Sequence, residues 1–271
     1  MTLSRRHPKA ILTEVLAWIK SLPTSHGGMG LSPHAPYSTP PDLMQLCARA
    51  AHQRKMVVTT HVAESAEEFD MFMRRRGPMA EWLARNDRDM SDCGHGSPVQ
   101  HLGRNGLLRK NLLAVHANYL APGDAALFGR KGVSVVHCPR SHAYFGHQEF
   151  PREELEIQGV NICLGTDSLA TVKKGRRRPL ELDMFAEMQT LATTSPKLAP
   201  KTILKMATIN GARALGLIGR VGELAKGRFA DVIAVPFAGK AAETFEAAVH
   251  HSGGVSASMI NGQWVYPTER G

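Results

Sequence analysis

Short apolar runs that each close on a histidine or an acidic residue recur along this chain. They read Gly27-Gly-Met-Gly-Leu-Ser-Pro-His34, Met56-Val-Val-Thr-Thr-His61 with Glu64 just beyond, Leu112-Leu-Ala-Val-His116, Val133-Ser-Val-Val-His137 and Asn161-Ile-Cys-Leu-Gly-Thr-Asp167. A strand that is apolar on both faces belongs to a parallel sheet in an α/β protein. The stretches between the runs have helical spacing, about Pro41 to Arg54, Ser65 to Arg76, Pro122 to Gly132 and Arg152 to Gln158. Ahead of them, Ala10 to Leu22 reads as an amphipathic helix. Strands and helices alternating at this spacing predict a parallel sheet. Its right-handed crossovers would bring every strand end to one rim. In barrel enzymes that rim carries the active site.

The rest of the chain is less regular. The run from Gly77 to Gly106 reads either as a lid over a mouth or as a surface excursion. A polar loop carries His142 and His147, and two helices are expected at Leu182 to Ala192 and Lys201 to Leu215. From Ile218 the character changes. Strand-like runs at Asp231 to Val235, Val255 to Ile260 and Gln263 to Tyr266 surround Asn261-Gly262, a strong hairpin-turn signal. The expected division is residues 1–217 as the α/β part and 218–271 as a small β element.

Composition narrows the classes. With 43% hydrophobic residues in 271, the chain can bury a large core. No apolar stretch approaches the ~20 residues of a membrane helix. The first helix carries Glu14 and Lys20, unlike a secretory leader, so the cytoplasm is the expected location. Cys47, Cys93, Cys138 and Cys163 lie far apart and form no CxxC pair, which argues against a zinc knuckle or a disulfide framework. The net charge of +9 concentrates only at Lys173-Lys-Gly-Arg-Arg-Arg178, where no aromatic residues interleave. That segment reads as a solvated loop, and no nucleic-acid partner is expected.

Chemistry enters with His61-Val-Ala-Glu64. An imidazole at a strand end and a carboxylate three residues on allow His61 to bind a metal while Glu64 moves protons. His116 and Asp167 strengthen this reading, because imidazole and carboxylate together suit zinc or a similar divalent ion.

The motifs Ser32-Pro-His-Ala-Pro-Tyr-Ser38, Thr60-His-Val-Ala-Glu64, Val115-His116, His137-Cys-Pro-Arg-Ser141 and Gly165-Thr-Asp-Ser168 resemble those of the amidohydrolase superfamily in order and spacing. Within it, the motifs look most like those of the cytosine-deaminase-like and chlorohydrolase-like group of metal-dependent aminohydrolases. The tail agrees: Ala207-Thr-Ile-Asn-Gly-Ala-Arg-Ala-Leu-Gly-Leu217, Gly222 to Asp231 and Ile260-Asn-Gly262 are similar to that group's C-terminal signature. The resemblance implies an α/β fold, a partial (β/α)₈ barrel (the equivalents of strands 4–8) with a small β element from a composite sandwich. It also implies roles. His61 and Asp167 become metal ligands, Glu64 the acid/base, His116 the group that polarises the attacking water or the tetrahedral intermediate, and His34 a substrate contact. The cofactor implied is a divalent metal, zinc first and iron as the alternative. The expected reaction is hydrolysis of a carbon–nitrogen bond in a heterocyclic or amidine-like small molecule.

The chain departs from the group in three places. It contains no His-x-His pair, which the group carries on its first barrel strand. His142 stands where many relatives have Asn, and the Lys173–Arg178 loop is unusually basic for its place after Asp167. With two ligands missing, the metal is expected to be weakly held. The chain is then expected to be a fragment of a longer enzyme that forms a homo-oligomer, or else a non-catalytic remnant or partner subunit.

Overall fold

The structure, a computed structural model, describes residues 7–23, 27–172 and 180–266. The basic segment Lys173–Arg178 therefore lies outside the described residues.

Five strands pair in the order in which the chain makes them: β1 (Gly30–Leu31), β2 (Val57–Val62), β3 (Leu112–His116), β4 (Ser134–His137) and β5 (Asn161–Leu164). The pairings β1/β2, β2/β3 and β3/β4 are all parallel. β5 lies beside β4, since the Gly165 N–H donates to the His137 carbonyl (2.9 Å) and the Asn161 amide to the Ser134 hydroxyl (3.1 Å). The helices are α1 (Pro8–Ser21), α2 (Pro41–Arg54), α3 (Ala66–Arg74), α4 (Pro78–Arg85), α5 (Pro98–Arg104), α6 (Asp124–Lys131), α7 (Pro139–Phe145), α8 (Arg152–Ile157), α9 (Met184–Thr194), α10 (Pro200–Ala207), α11 (Ile209–Ala214) and α12 (Thr244–Val249). Local chemistry sets many of their ends. Proline occupies the first turn of α1, α2, α4, α5, α7 and α10, where its missing N–H costs nothing. The Ser65 and Ser97 hydroxyls cap α3 and α5 by accepting the Glu68 and Gln100 N–H groups.

The chain divides into two compact units, Met1–Val136 with His147–Asn161, and His137–Gly146 with Ile162–Gly271. The first contains the core cluster Met71, Phe72, Ala80, Leu83, Met90 and Cys93, against which Tyr37 and Met79 pack. These residues come from α3, α4 and the turn after α4, so much of the Gly77–Gly106 run is a folded, core-forming segment. Its irregularity in sequence reflects two short helices and a turn pinned by Arg88. That guanidinium donates to the Pro36 and Tyr37 carbonyls (3.2 and 2.8 Å) and to both oxygens of Asp92 (2.8 and 2.9 Å).

In the second unit, the stretch expected as one helix from Lys201 to Leu215 is two. Thr208 adopts φ −126° and ψ −94°, which breaks the chain between α10 and α11. Just beyond the break, Asn210 donates its side-chain amide to the Ile162 carbonyl (2.8 Å) and ties α11 to β5. His142 lies within α7, where a loop was expected. The tail forms a three-stranded antiparallel sheet of β6 (Val232–Ala234), β7 (Ala257–Ile260) and β8 (Gln263–Tyr266). Asn261 and Gly262 both take positive φ (49° and 79°), as a tight two-residue hairpin turn requires. Among the described residues no helix is long and apolar enough to cross a membrane.

Candidate active site

His34, His61, Glu64 and His116 come together in the first unit, at the C-terminal ends of β1, β2 and β3. The register sets the spacing: His61 stands opposite Val115, and Val62 opposite His116. Along β2 and β3, Val58, Thr60 and Val62 pair with Leu112, Ala114 and His116, and all six are buried. By simple strand alternation, His61 and His116 would project from opposite faces. They do not. His116 takes φ +75°, which swings its side chain round, and its ring stacks on His61 at 5.3 Å between centroids and 26° between planes. Left-handed backbone also occurs at Ala63 (51°), Ala117 (51°) and Asp167 (50°), none of them glycine. Such conformations cost about 1–3 kcal/mol each and concentrate where function demands an unusual side-chain direction.

The His61 ring is oriented from behind. Its Nδ1 lies 2.9 Å from the His34 carbonyl, an acceptor only, so Nδ1 carries the hydrogen and Nε2 the lone pair. That carbonyl also accepts the His61 backbone N–H (2.9 Å) and the Thr60 hydroxyl (3.3 Å). Metal-ligating histidines are characteristically held in this way. The His34 ring lies 5.1 Å from that of His61 and shares a 2.6 Å hydrogen bond with Ser38. Partial burial, with the neighbouring His61 adding to it, lowers the His34 pKa. Glu64 is partly exposed, and its Oε1 lies 3.6 Å from Nε2 of the buried His116. That separation is an ion-pairing distance, just longer than a direct hydrogen bond.

Two supporting residues escape a reading of the sequence for ligands. Glu68, 1% exposed, accepts the Glu64 N–H (2.8 Å), and the Asn118 amide donates to the Glu64 carbonyl (3.0 Å). The Glu64 backbone is thus clamped on both sides. Ser65-x-x-Glu68 matches a capping box, which would mark Glu68 as a helix-start residue. Its carboxylate reaches one residue further back than that motif predicts. Asn118 has no such signal, because nothing in the sequence around it marks a loop amide for this use.

Burial pushes the Glu68 carboxyl up to about 7, and the Glu64 charge adds to the effect. Its Oε1 is buried without a hydrogen-bond partner, so the charged form is poorly solvated. The unfolded chain releases this proton near 4.5, so the folded state binds more protons between pH 4.5 and about 7. The stabilisation is therefore present below that window and is lost as the pH rises through about 7. At roughly 1.4 kcal/mol per pH unit the loss is on the order of 3 kcal/mol. Glu68→Gln, a neutral isostere, should match the wild type in urea unfolding at pH 5 and exceed it at pH 8. Parallel changes in the two proteins would remove Glu68 as the source.

In the second unit Asp167 lies just past β5, where it accepts the Thr171 hydroxyl (3.2 Å). Nearby in the same unit Glu187 is fully buried and accepts the Arg140 N–H (2.9 Å). Burial raises its carboxyl to about 7, against the lowering by that hydrogen bond and by the Arg140 charge, while the charges of Asp167 and Asp183 add to the rise. The rings of His137 and His142 meet edge to face at 5.2 Å.

Residues 4–265 match the family described as the amidohydrolase family. A 5-methylthioadenosine/S-adenosylhomocysteine deaminase of Syntrophobacter fumaroxidans is 36% identical over 216 residues, 77% of this chain and 44% of that protein. The chain thus spans about half the length of the curated relatives it matches. Among solved structures, a zinc-bound adenosine deaminase from Xanthomonas campestris superposes with a TM-score of 0.73 at 28% identity, over 94% of this chain and 55% of the other. Helicobacter pylori aminofutalosine deaminase gives a TM-score of 0.82 at 19% identity, over 97% of this chain and 65% of the other, a likeness of fold.

Proposed function

Because this chain belongs to the amidohydrolase family, we propose that it works as part of a metal-dependent aminohydrolase that removes the amino group from a purine nucleoside of the adenosine type. In this reading the five parallel strands stand for the last five of an eight-stranded barrel, within residues 1–217. Residues 218–271 contribute to a β-sandwich. The observation that carries the proposal is the set His61, Glu64 and His116, with a fixed His61 tautomer and a 3.6 Å carboxylate–imidazole approach. The names of the relatives, deaminases of adenosine-type compounds, support the substrate class.

The donor set fits a divalent ion. His61 presents Nε2, and Asp167 offers a carboxylate, both donor types that zinc takes; iron is the alternative. When bound, such an ion supplies Lewis acidity and a water acidified to near neutrality. Glu64 would take one proton of the attacking water and pass it to the ring nitrogen, then take the second from the new hydroxyl and pass it to the departing amine, so that the carbonyl forms and ammonia leaves neutral. His116 would hold the attacking oxygen in line through Nε2, and Glu68 and Asn118 would keep Glu64 in place through its backbone. His34 would contact the substrate from the neighbouring strand end. The longer protein would be a cytoplasmic homo-oligomer acting on a small molecule.

With two protein ligands in place of the usual three or four, these 271 residues should retain well under one zinc per chain after dialysis. A chain extended upstream by strands bearing a His-x-His pair should hold about one zinc and release ammonia from 5′-substituted adenosines. Elemental analysis and an ammonia assay read the two expectations separately. Stoichiometric zinc on the 271 residues would mean that the ligands are misassigned. An extended, zinc-loaded chain that leaves adenosine-type substrates intact would overturn the activity.

A further inference from the structure

The end of the sheet opposite the histidine rim carries a cavity. It measures about 740 Å³ and lies among the end of α5, the loop before β3 and the end of α6, all within the first unit. Leu108 and Leu127 give it apolar walls, and Arg104, Arg109, Lys110, Arg130 and Lys131 surround it. Among the described residues none of these five cations lies within ion-pairing distance of a carboxylate. Two spend one donor each on backbone: Arg104 on the His95 carbonyl (2.9 Å) and Arg109 on the Gly106 carbonyl (3.1 Å). A guanidinium has five donors, so both keep others. The carbonyl ends of α5 and α6 point here, but each helix end amounts to about half a negative charge, far short of offsetting five cations. The volume falls in the range of small-molecule sites, ~300–1,000 Å³.

Charge of one sign around a concave, partly apolar cavity concentrates a multivalent anion. Two features set its chemistry. Arginines favour phosphate oxygens held by paired N–H groups, and the two leucines favour an organic group attached to them. We propose that this cleft is a binding site for a polyphosphate chain, free or carried by a nucleotide. It is distinct from the rim: β3 separates the two, rising roughly 13 Å from Leu112 to His116 at ~3.3 Å per residue. A ligand here would leave the histidines open.

The test is calorimetric titration of the intact chain with inorganic tripolyphosphate, ATP and adenosine at low salt (about 50 mM). Tripolyphosphate and ATP should bind and adenosine should not; ATP binding more tightly than tripolyphosphate would identify the nucleotide as the source, and equal affinity the phosphate chain alone. Raising the salt about tenfold should weaken both by at least ~10-fold, as screening shortens the reach of the charges. The double variant Arg130→Gln/Lys131→Gln should lose ~10-fold or more in affinity while keeping the wild-type circular dichroism and melting temperature. Absence of tripolyphosphate binding at millimolar concentration would overturn the proposal. So would undiminished binding by the double variant, which would put the anion elsewhere, for instance on Lys173–Arg178. Displacement of tripolyphosphate by a single-stranded oligonucleotide at lower concentrations than ATP needs would make the cleft a nucleic-acid surface and overturn it as well.

Discussion

Replacing Glu64 by glutamine is expected to cut turnover by ~10²–10⁴-fold in a chain extended to the length of its relatives, with metal content and fold unchanged. The amide keeps the shape of the side chain and the backbone bonds to Glu68 and Asn118, so only proton transfer is removed. His61→Ala should behave differently. It removes an imidazole whose Nδ1 is already fixed by a carbonyl, and metal and activity should fall together. Measuring zinc and ammonia release on both variants separates the two roles. Near-normal turnover by Glu64→Gln would sink the proton-transfer assignment, whatever the fold.

Arg88→Ala should be among the most damaging substitutions outside the rim. The Arg88 side chain is 8% exposed and that of Asp92 12%, so removing the guanidinium leaves a largely buried carboxylate with only the Cys93 thiol (3.4 Å) and the His101 ring (3.6 Å) beside it. It also frees the Pro36 and Tyr37 carbonyls. Breaking a buried pair on one side typically costs about 3–5 kcal/mol. Because the lost contacts hold the loop that carries His34, the loss should show in urea unfolding and in weaker substrate binding by the extended chain. Arg88→Lys keeps the charge but not the planar fork, so it should recover only part of the stability. A loss below about 1 kcal/mol for Arg88→Ala would mean that the pair is better solvated than its burial indicates.

The strands were readable because both requirements of a parallel strand, apolar faces and short length, leave marks in sequence. β2 and β3 lie within a residue or so of where their apolar runs put them. The hairpin turn was readable for a similar reason, since Asn261-Gly262 is one of few pairs that accept two positive φ values. What escaped depends on contacts distant in sequence. Arg88 reaches Pro36 and Tyr37 about fifty residues away, and no local pattern announces α4 and the turn that it pins. The split at Thr208 is a backbone choice that helical spacing on either side conceals. At the candidate site the residue types stood out as polar groups ending apolar runs. The device that turns the His116 ring toward His61 did not, because positive φ at a histidine has no sequence signature.

The His34 carbonyl, which receives the His61 ring, the His61 N–H and the Thr60 hydroxyl, has a consequence for how this protein varies. Every amino acid supplies that oxygen. Position 34 therefore performs its alignment task through an atom that substitution cannot delete, and a scan of side chains there would record only what the imidazole adds. With His34 in its proposed role as a substrate contact, drift at this position would alter what the protein recognises while the neighbouring ring stays aimed, so specificity and the geometry of the reaction would change independently at a single residue.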